Sequence, residues 1–569
     1  MGRANGVAAC LLVAVLGSAC SGSPSAGQSG SSAADSPRAP KVLTVGVQGE
    51  PITFVPLGNV RSAAGTADRH VRVFAHDELT RVDEREARIA MLATEVITVE
   101  RGSWRVNSDG TMDTVWKIKP GVLWHDGTPL TSDDLLFSFL VHKDPAIPNS
   151  VGAGAQLMES AMAPDAYTLE VHWSRIYYAA DEALGLTPLP RHLLEDLYQR
   201  DKEGFMNTPL FKTEWIGLGP FRLTRWEPGS HMQFDRFDDY YGGRALLDTI
   251  TMRFLSDPNT MVANILAESV EVVLPIGVRI DDALDLKRRW EGTGHRVVAA
   301  PSGRLRHVEL QHRPDAARPA NGMTNPIVRQ AMYQAIDKRA LIDLMNPGLD
   351  VPAADSWIPP HHELRPNVES AIPQFPYDPT RSQQLLAQAG WIRGASGMLT
   401  HQSSGEPFRF QLWNTQSSAA DREMNALADS WKVVGVDVEL YIVPTALLSD
   451  RQHRASLTGG GLSGSGFDGF VTDRLHTKQI TAASNNWIGT NRGGYSNPKV
   501  DAILDKLAVT IPRAERVALH RQLLVEQMGD VATMPLFWDL DPILMLRNVE
   551  GVSVATGSLN LNVLQWNKE

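Results

Sequence analysis

The sequence predicts a protein that contains both strands and helices and is large enough for two or three domains. Its 569 residues exceed what one hydrophobic core usually serves. From Leu43 to Val47 every second residue is apolar, which is the period of a β-strand. Between residues 325 and 342, apolar residues recur at the spacing of one helix face. Strands and helices are therefore both expected in the body of the chain.

Composition and charge exclude some classes of partner. Hydrophobic residues make up 43% of the chain and charged residues 21%, as in an ordinary globular protein. The net charge is −11, and the basic run "KRRW" at 287–290 is too short for the electrostatic footprint of a nucleic-acid-binding protein. We therefore predict no nucleic-acid partner.

The N-terminus predicts export and lipid anchoring. Arg3 precedes an apolar run, 7–16, that is too short to span a bilayer and is typical of a secretory signal. The run ends in "LGSAC", which resembles the lipobox of bacterial lipoproteins, although Gly17 stands where an aliphatic residue is usual. We predict a signal peptide over 1–19 and a lipid on Cys20. The alternative is a secreted protein in which Cys20 is incidental.

The segment after Cys20 predicts a flexible tether. Residues 20–40 are rich in Ser, Gly, Ala and Pro, a composition that does not form a packed core. Cys10, the other cysteine of the chain, would leave with the signal peptide. The mature body would then contain no free thiol, which excludes disulfides, thiolate zinc sites and a cysteine nucleophile.

The stretch 113–143 predicts a strand, a turn and a helix. Strand-like residues at 113–124 are interrupted by Pro120-Gly121, and Asp126-Gly127 is a strong turn dipeptide. Thr131 or Ser132 is a plausible N-cap for the apolar run that follows.

Five blocks in order resemble family 5 extracellular solute-binding proteins, the dipeptide- and oligopeptide-binding components of ABC transporters. They are "WKIKPGVLWHDGTPLTSDDLLFS" (116–138), "GLGPFRLTRWEPGSHMQFDRFDDYYGGRALLDTITMRFLSDPNT" (217–260), "NPIVRQAMYQAIDKRALI" (325–342), "YDPTRSQQLLAQAGW" (377–391) and "GYSNPKVDAILDKL" (494–507). The resemblance extends from about residue 41 to the end of the chain.

The resemblance implies two α/β lobes that enclose a ligand, joined by two crossover strands, with an extra side domain. Mapped onto this chain, lobe one comprises 41–72, 205–302 and 533–569, the side domain 73–204, and lobe two 303–532. The crossovers would lie near Pro301 and near Met534-Pro535. In lobe two, one helix is expected over 325–342, with Val328, Met332, Ala335 and Ile336 inside. Another is expected over 512–530, with Ala514, Val517, Leu524, Val525 and Met528 on one face.

Three motifs suggest chemistry and are better explained structurally. His125 and Asp126 are neighbours, which point to opposite faces of an extended chain, and no third group orients them as a catalytic pair. "GSGFDG" (464–469) follows "TGGGLS", which we interpret as a flexible loop, so a dinucleotide site is not expected. "HHE" (361–363) lacks the helical spacing of metal-binding histidines and is expected in a surface loop. We predict no metal, cofactor or catalytic residue.

Candidate ligand-binding residues lie where strands end. Trp413 and Asn414 close a predicted strand, with ordinary packing as the alternative. Arg451, with Arg454, could hold a ligand carboxylate, and Glu50 could face the cleft after the first strand. For all three charged residues the alternative is solvated surface.

One departure from the family pattern concerns the ligand. Peptide-binding relatives carry a pattern like G-W-x-x-D-Y whose aspartate holds the peptide amino group. The matching stretch here is Gly469-Phe470-Val471-Thr472-Asp473-Arg474. Asp473 stands at the anchor position, and Arg474 could compete for its carboxylate, so the resemblance leaves the ligand open.

Three functions remain after this reasoning. The first is a monomeric receptor, lipid-anchored on the extracytoplasmic face of the membrane, that gives a peptide-like or other small solute to the permease of an ABC importer. The second is a lipoprotein of the same fold with a regulatory or scaffolding role in the cell envelope. The third is an enzyme, for which no catalytic constellation is present.

Overall fold

The computed structural model describes residues 38–55, 66–83, 85–147, 153–183, 185–415, 419–467, 474–552 and 562–569. The predicted signal peptide, Cys20 and Asp473 lie outside these ranges. Residues Lys41–Glu569 form one unit, and only 38–40 of the segment before it are described.

The strands are β1 Val42–Val47, β2 Thr80–Val82, β3 Arg88–Ala90, β4 Trp104–Val106, β5 Met112–Lys117, β6 Met158–Asp165, β7 Thr168–Trp173, β8 Phe221–Glu227, β9 His231–Arg236, β10 Thr249–Phe254, β11 Val272–Val273, β12 Arg296–Leu310, β13 Trp391–Arg393, β14 Leu399–His401, β15 Arg409–Thr415, β16 Asp437–Val443, β17 Gly460–Ser465, β18 Thr533–Met545, β19 Val549–Glu550 and β20 Asn567–Lys568.

The α-helices are α1 Thr66–Ala75, α2 Ser132–Lys143, α3 Ala153–Gln156, α4 Arg191–Arg200, α5 Lys202–Met206, α6 Pro258–Leu266, α7 Ile280–Arg289, α8 Ala320–Met323, α9 Pro326–Gln334, α10 Lys338–Met345, α11 Arg365–Val368, α12 Pro379–Gln388, α13 Ala420–Val433, α14 Arg451–Ser456, α15 Pro498–Val509 and α16 Arg513–Gly529. None of these helices is long and apolar enough to cross a membrane.

Ten strands form one mixed sheet in the order β16-β15-β17-β12-β18-β11-β1-β10-β9-β8. The long antiparallel strands β12 and β18 lie in the middle and connect its two halves. A separate four-stranded antiparallel sheet has the order β4-β5-β7-β6, and β2 pairs with β3 in a short hairpin. This arrangement is the predicted α/β class, with two sheet halves joined by two crossover strands.

The first predicted strand is confirmed. β1 pairs in parallel with β10 and β11 in the interior of the sheet. Leu43, Val45 and Val47 are buried, because the sheet packs this face into the core of one half. The core of the other half runs from Leu305 to Trp538 in sequence, and a third core belongs to the four-stranded sheet and its surroundings. Each core fills one region, and the domain boundaries given above stay predictions.

The predicted turn and helix start at 124–132 are also confirmed. Trp124 N–H donates to Thr128 O, and Gly127 takes the left-handed conformation with φ of 87°. α2 begins after the N-cap Thr131, whose backbone N–H donates to the carboxylate of Asp134 at 2.9 Å. This reciprocal capping satisfies donors that a helix start leaves unpaired.

The single helix expected over 325–342 is wrong, because the chain forms two helices there. α9 ends at Gln334, and Asp337 caps the start of α10 by accepting the Ala340 N–H at 3.0 Å. An aspartate side chain that bonds to the backbone two or three residues ahead favours a new N-terminus over a continuing helix. Ala335 and Ile336 are buried as expected, in the link between the helices.

The face expected for α16 is partly wrong. Leu524 and Met528 are buried, but Ala514 and Val525 are exposed. His520 and Gln527 are buried in their place. A count of apolar residues misses them, since the buried face of this helix includes two polar side chains.

Candidate functional site

A break in the pairing of the two crossover strands lies at the middle of the large sheet. In β12, Pro301 lies opposite Leu540, and the next paired residue, Leu305, lies opposite Trp538. Residues 302–304 are therefore left out of the ladder, and Gly303 takes a positive φ of 69°. Pro301 lies at the edge of this break, while Met534-Pro535 pair with β12 deeper in the second half of the sheet.

A cavity of about 730 Å³ opens over this break. Ser302 and Gly303 line it together with Gly466 and Phe467, which follow the carboxyl end of β17. The ends of parallel strands are where open α/β sheets usually bind ligands. The volume lies within the range of about 300–1,000 Å³ that is typical of small-molecule sites.

The rest of the cavity lining comes from two groups of residues, which also contact each other. One group, between 82 and 182 in sequence, comprises Val82, Glu86, Ala87, Arg88, Val96, Ile97, Thr98, Val99, Glu100, Trp104, Tyr178, Ala179, Asp181 and Glu182. The other group comprises His362, Glu363, Leu364, Ile511, Arg513, Arg516 and His520. Apolar, aromatic and charged side chains thus line the same cavity, as in sites that enclose a polar solute.

Arginines in the cavity wall are held by neighbouring groups. Arg513 lies 3.0 Å from the carboxylate of Glu363, and Arg88 lies 3.5 Å from that of Glu182. The Arg516 guanidinium lies 4.3 Å from the centre of the Tyr178 ring. This cation–π contact joins the two sides of the cavity.

An aromatic and imidazole cluster forms one end of the cavity. The His362 and Phe467 rings lie 4.4 Å apart, and His520 packs against both Phe467 and Trp357. Burial lowers the pKa of His362 and lowers the pKa of His520 to about 3. Both imidazoles are therefore held in the neutral form at neutral pH, because a buried charge would lose its hydration.

The histidines of "HHE" do not lie in a simple surface loop as expected. His362 is 6% exposed, because the turn between β2 and β3 covers it. His361 Nε2 lies 3.2 Å from Glu86 Oε1, and the Glu363 N–H donates to Arg85 O at 2.9 Å. Among the described residues, no group of three or more His, Cys, Asp or Glu side chains could hold a metal ion.

"TGGGLS" was interpreted as a flexible loop, and this was wrong. Gly460–Ser465 form β17 in the interior of the sheet. A Cβ on Gly460 would lie 2.8 Å from the Phe410 ring, and one on Gly461 would lie 2.1 Å from the Trp413 ring. The glycines are required here because large rings of β15 occupy the space above β17.

Trp413 and Asn414 lie at the end of β15, away from the 730 Å³ cavity. The Trp413 ring packs with Val443 and Leu457 over Gly461. Asn414 is buried, and its side-chain oxygen accepts the Thr415 N–H at 2.8 Å. Their role in binding stays a prediction.

Glu50 and Arg451 lie apart from each other and from the cavity lining. The two oxygens of Glu50 accept the indole N–H of Trp226 at 2.7 Å and the backbone N–H of Gly229 at 2.8 Å. These bonds tie the segment after β1 to the β8–β9 hairpin. Arg451 is exposed at the first residue of α14.

Arg474 turns toward the sheet. Its guanidinium lies 3.6 Å from Glu309 on β12, and burial lowers its pKa. Arg454 and Trp413 line a cavity of only about 10 Å³ beside the same glutamate. The structure thus brings Trp413, Arg454 and Arg474 around Glu309, whereas the contact expected between Arg474 and Asp473 stays a prediction.

His125 and Asp126 are separated by the turn that contains them. His125 is buried, accepts the Gly217 N–H at Nδ1 (3.1 Å) and donates from Nε2 to Gly219 O (2.9 Å). The Asp126 carboxylate lies 2.6 Å from His192 Nε2. The imidazole therefore holds the 217–219 segment against the turn, which is a structural role.

Sequence reasoning missed the residues that line the large cavity. Glu86 lines the cavity and lies 275 positions from His361, which contacts it from beside the lining, so no local pattern connects the two. One usable signal for the cavity was the Gly466-Phe467 pair, which follows β17 directly. It comes just before Gly469-Phe470, the pair that matches the start of the family motif.

A sheet divided into two halves, joined by two crossover strands, with a solute-sized cavity at the break, defines a two-lobed binding protein. The family model of bacterial extracellular solute-binding proteins, family 5 (middle region), matches residues 99–481, more than half of the chain. The chain belongs to this family.

Named relatives cover most of the chain at low identity. The oligopeptide-binding protein AppA of Bacillus subtilis is 24% identical over 98% of this chain and 97% of its own length. The glutathione-binding protein GsiB of Pectobacterium atrosepticum is 25% identical over 75% of this chain and 77% of its own length. The structure of AppA with a nonapeptide superposes with a TM-score of 0.64 at 22% identity, over 93% of this chain and 100% of that one. These relatives are binding proteins, and the fold confirms the resemblance.

Proposed function

We propose that the protein captures a peptide-like or other small solute in the 730 Å³ cavity and delivers it to an ABC importer without chemical turnover. The cavity at the break between the sheet halves carries this proposal, since it is the place where closure of two lobes would enclose a ligand. Its mixed lining supplies apolar walls and charged groups for orienting a polar solute. The names of the relatives above, which bind oligopeptides and glutathione, favour a peptide-like solute.

Native mass spectrometry of protein purified without refolding tests this proposal directly. We expect a bound small solute, or binding from a pool of short synthetic peptides. The variant Ala87→Phe should weaken this binding, because Ala87 lines the cavity and a phenyl ring would occupy part of it. Ala395→Phe, at an exposed position away from the cavity, is the matched control. Equal binding by both variants would place the ligand elsewhere.

We further propose that a lipid on Cys20 holds the protein at the extracytoplasmic face of the membrane. The "LGSAC" pattern and the tether over 20–40 support this location. Cys20→Ala should move the protein from the membrane fraction to the soluble extracytoplasmic fraction. Retention of the variant in the membrane fraction would contradict the lipid anchor.

A further inference from the structure

The turn between β2 and β3 is built to project one carboxylate. Asp83 accepts the N–H groups of Arg85 and Ala87 at 2.8 and 2.9 Å, which closes the turn. Glu86 takes the left-handed conformation with φ of 58°, which is uncommon for a residue with a side chain. The turn thereby directs Glu86 toward the opposite side of the cavity.

The Glu86 carboxylate meets imidazoles there. His361 Nε2 lies 3.2 Å from Oε1, and His362 Nε2 lies 3.6 Å from Oε2. An imidazole carries a charge only when protonated, and burial lowers the pKa of His362, which favours its neutral form. The Glu86 side chain remains 21% exposed within the cavity lining. The carboxylate therefore borders both imidazoles and the open space of the cavity.

The arginines of the cavity are matched by other carboxylates. Arg513 pairs with Glu363, and Arg88 pairs with Glu182. Arg516 attracts the half-buried Asp181 and donates to the carbonyls of Leu507 and Thr510 at 2.9 and 3.0 Å.

Glu86 is left without such a match. Among the described residues no lysine or arginine forms an ion pair with its carboxylate. Glu100 also lines the cavity and forms no ion pair with a lysine or arginine of the described residues, but it is exposed to solvent, where water screens its charge.

We propose that Glu86 anchors a cationic group of the solute, such as a peptide ammonium, at the junction of the β2–β3 turn and the 361–363 loop. This inference rests on the proposed function and adds the charge of the ligand to it. A cation there would balance the charge of the Glu86 carboxylate. It would also donate charge-assisted hydrogen bonds to groups on both sides of the cavity. The same contact would favour the arrangement in which the two sides meet, because Glu86 and the histidines come from different groups of the lining.

Matched peptides test the proposal. Two pools of short synthetic peptides without Lys, Arg or His, one with free amino termini and one N-acetylated, are compared by native mass spectrometry. The strongest binder and its acetylated form are then titrated calorimetrically. We expect the wild type to prefer the free amine. Glu86→Gln should lower affinity for the free amine about tenfold, equal to ~1.4 kcal/mol, and should remove the preference.

Controls separate the possible failures. Glu100→Gln removes a carboxylate from the same lining and should leave the preference intact. If the wild type binds both peptide forms equally, or if Asp473→Asn removes the preference while Glu86→Gln keeps it, the Glu86 anchor is refuted and the proposed function stands. If neither pool binds the wild type and no solute copurifies, the proposed function itself fails, and the anchor fails with it. The wild-type comparison decides the question even if Glu86→Gln does not fold.

Discussion

Acidification should destabilise the protein in part through His125. This imidazole is buried and bonded to Gly217 and Gly219, and burial lowers its pKa to about 4. A histidine in the unfolded chain has a pKa of about 6.5. At a pH between these two pKa values, His125 binds a proton in the unfolded state but not in the folded state. The contribution of His125 to stability is therefore complete above pH ~6.5 and is lost as the pH falls toward about 4.

The size of the effect follows from the same two pKa values. Lowering the pH from 7 to 5 should cost about 2 kcal/mol of unfolding free energy through His125 alone. His125→Gln keeps an amide that can donate to Gly219 O but cannot titrate. The variant should start less stable at pH 7, because the Gly217 N–H loses its acceptor. Over the same pH interval, however, it should lose about 2 kcal/mol less than the wild type.

Urea unfolding of the wild type and of His125→Gln at pH 7 and pH 5 measures how much unfolding free energy each protein loses. A control of opposite sign is His172, whose pKa is raised by its hydrogen bond to Asp113 at 2.7 Å. A raised pKa gives stability that is present at low pH and is lost as the pH rises through it. His172→Gln should therefore lose more stability than the wild type on acidification. If His125→Gln and the wild type lose the same free energy, His125 is not the buried neutral group described here.

Three other changes test the packing, the crossover and the motion. Gly217→Ala should destabilise the protein by about 1–3 kcal/mol or more, because the added Cβ would lie 1.9 Å from Ala75 O. The control Gly529→Ala, whose Cβ would meet no atom within 4 Å, should not destabilise it. Thermal unfolding measures both variants. Arg306→Met strands the buried carboxylate of Glu423 and should cost about 3–5 kcal/mol, and changing both residues to Met should recover most of it. Small-angle scattering should show a smaller radius of gyration with a verified ligand than without it, and an unchanged value would argue against closure.

Local sequence patterns predicted the elements whose causes lie within the same segment of the chain. β1 follows from alternation, and the start of α2 follows from Thr131 and the acidic residue three positions later. The same rules were wrong for "TGGGLS", because the reason for those glycines lies on another strand, in the rings of Phe410 and Trp413. By propensity alone, a run of glycines is predicted to form a loop. In this sheet the run forms a strand, because the neighbouring strand leaves no room for side chains.

The cavity could not be predicted for a related reason. Glu86 and His361 come together only through the fold, and each is unremarkable in its own segment. Family resemblance directed attention to Asp473 and to strand ends. The strand-end rule selected Trp413 and Asn414 after β15, which are not part of this cavity lining. Gly466 and Phe467, which do line it, follow β17, the strand that was interpreted as a loop.

The distribution of contacts indicates what would close the cavity. Apolar burial, the main stabilising term of folding, lies inside separate cores of the two sheet halves. Beside the crossover strands, one contact between the halves is the ion pair of Arg422 with Asp281, whose side chains are 39% and 47% exposed. Exposed pairs of this kind contribute about 0–1 kcal/mol. A ligand that touches both walls would therefore decide the equilibrium between open and closed forms, since only differential affinity for the two forms can shift it. A cation bound at Glu86 is one source of that difference. The carboxylate lies 3.2 Å from His361 on the other side of the cavity, so the cation would contact both sides in this arrangement and only one side in a more open form.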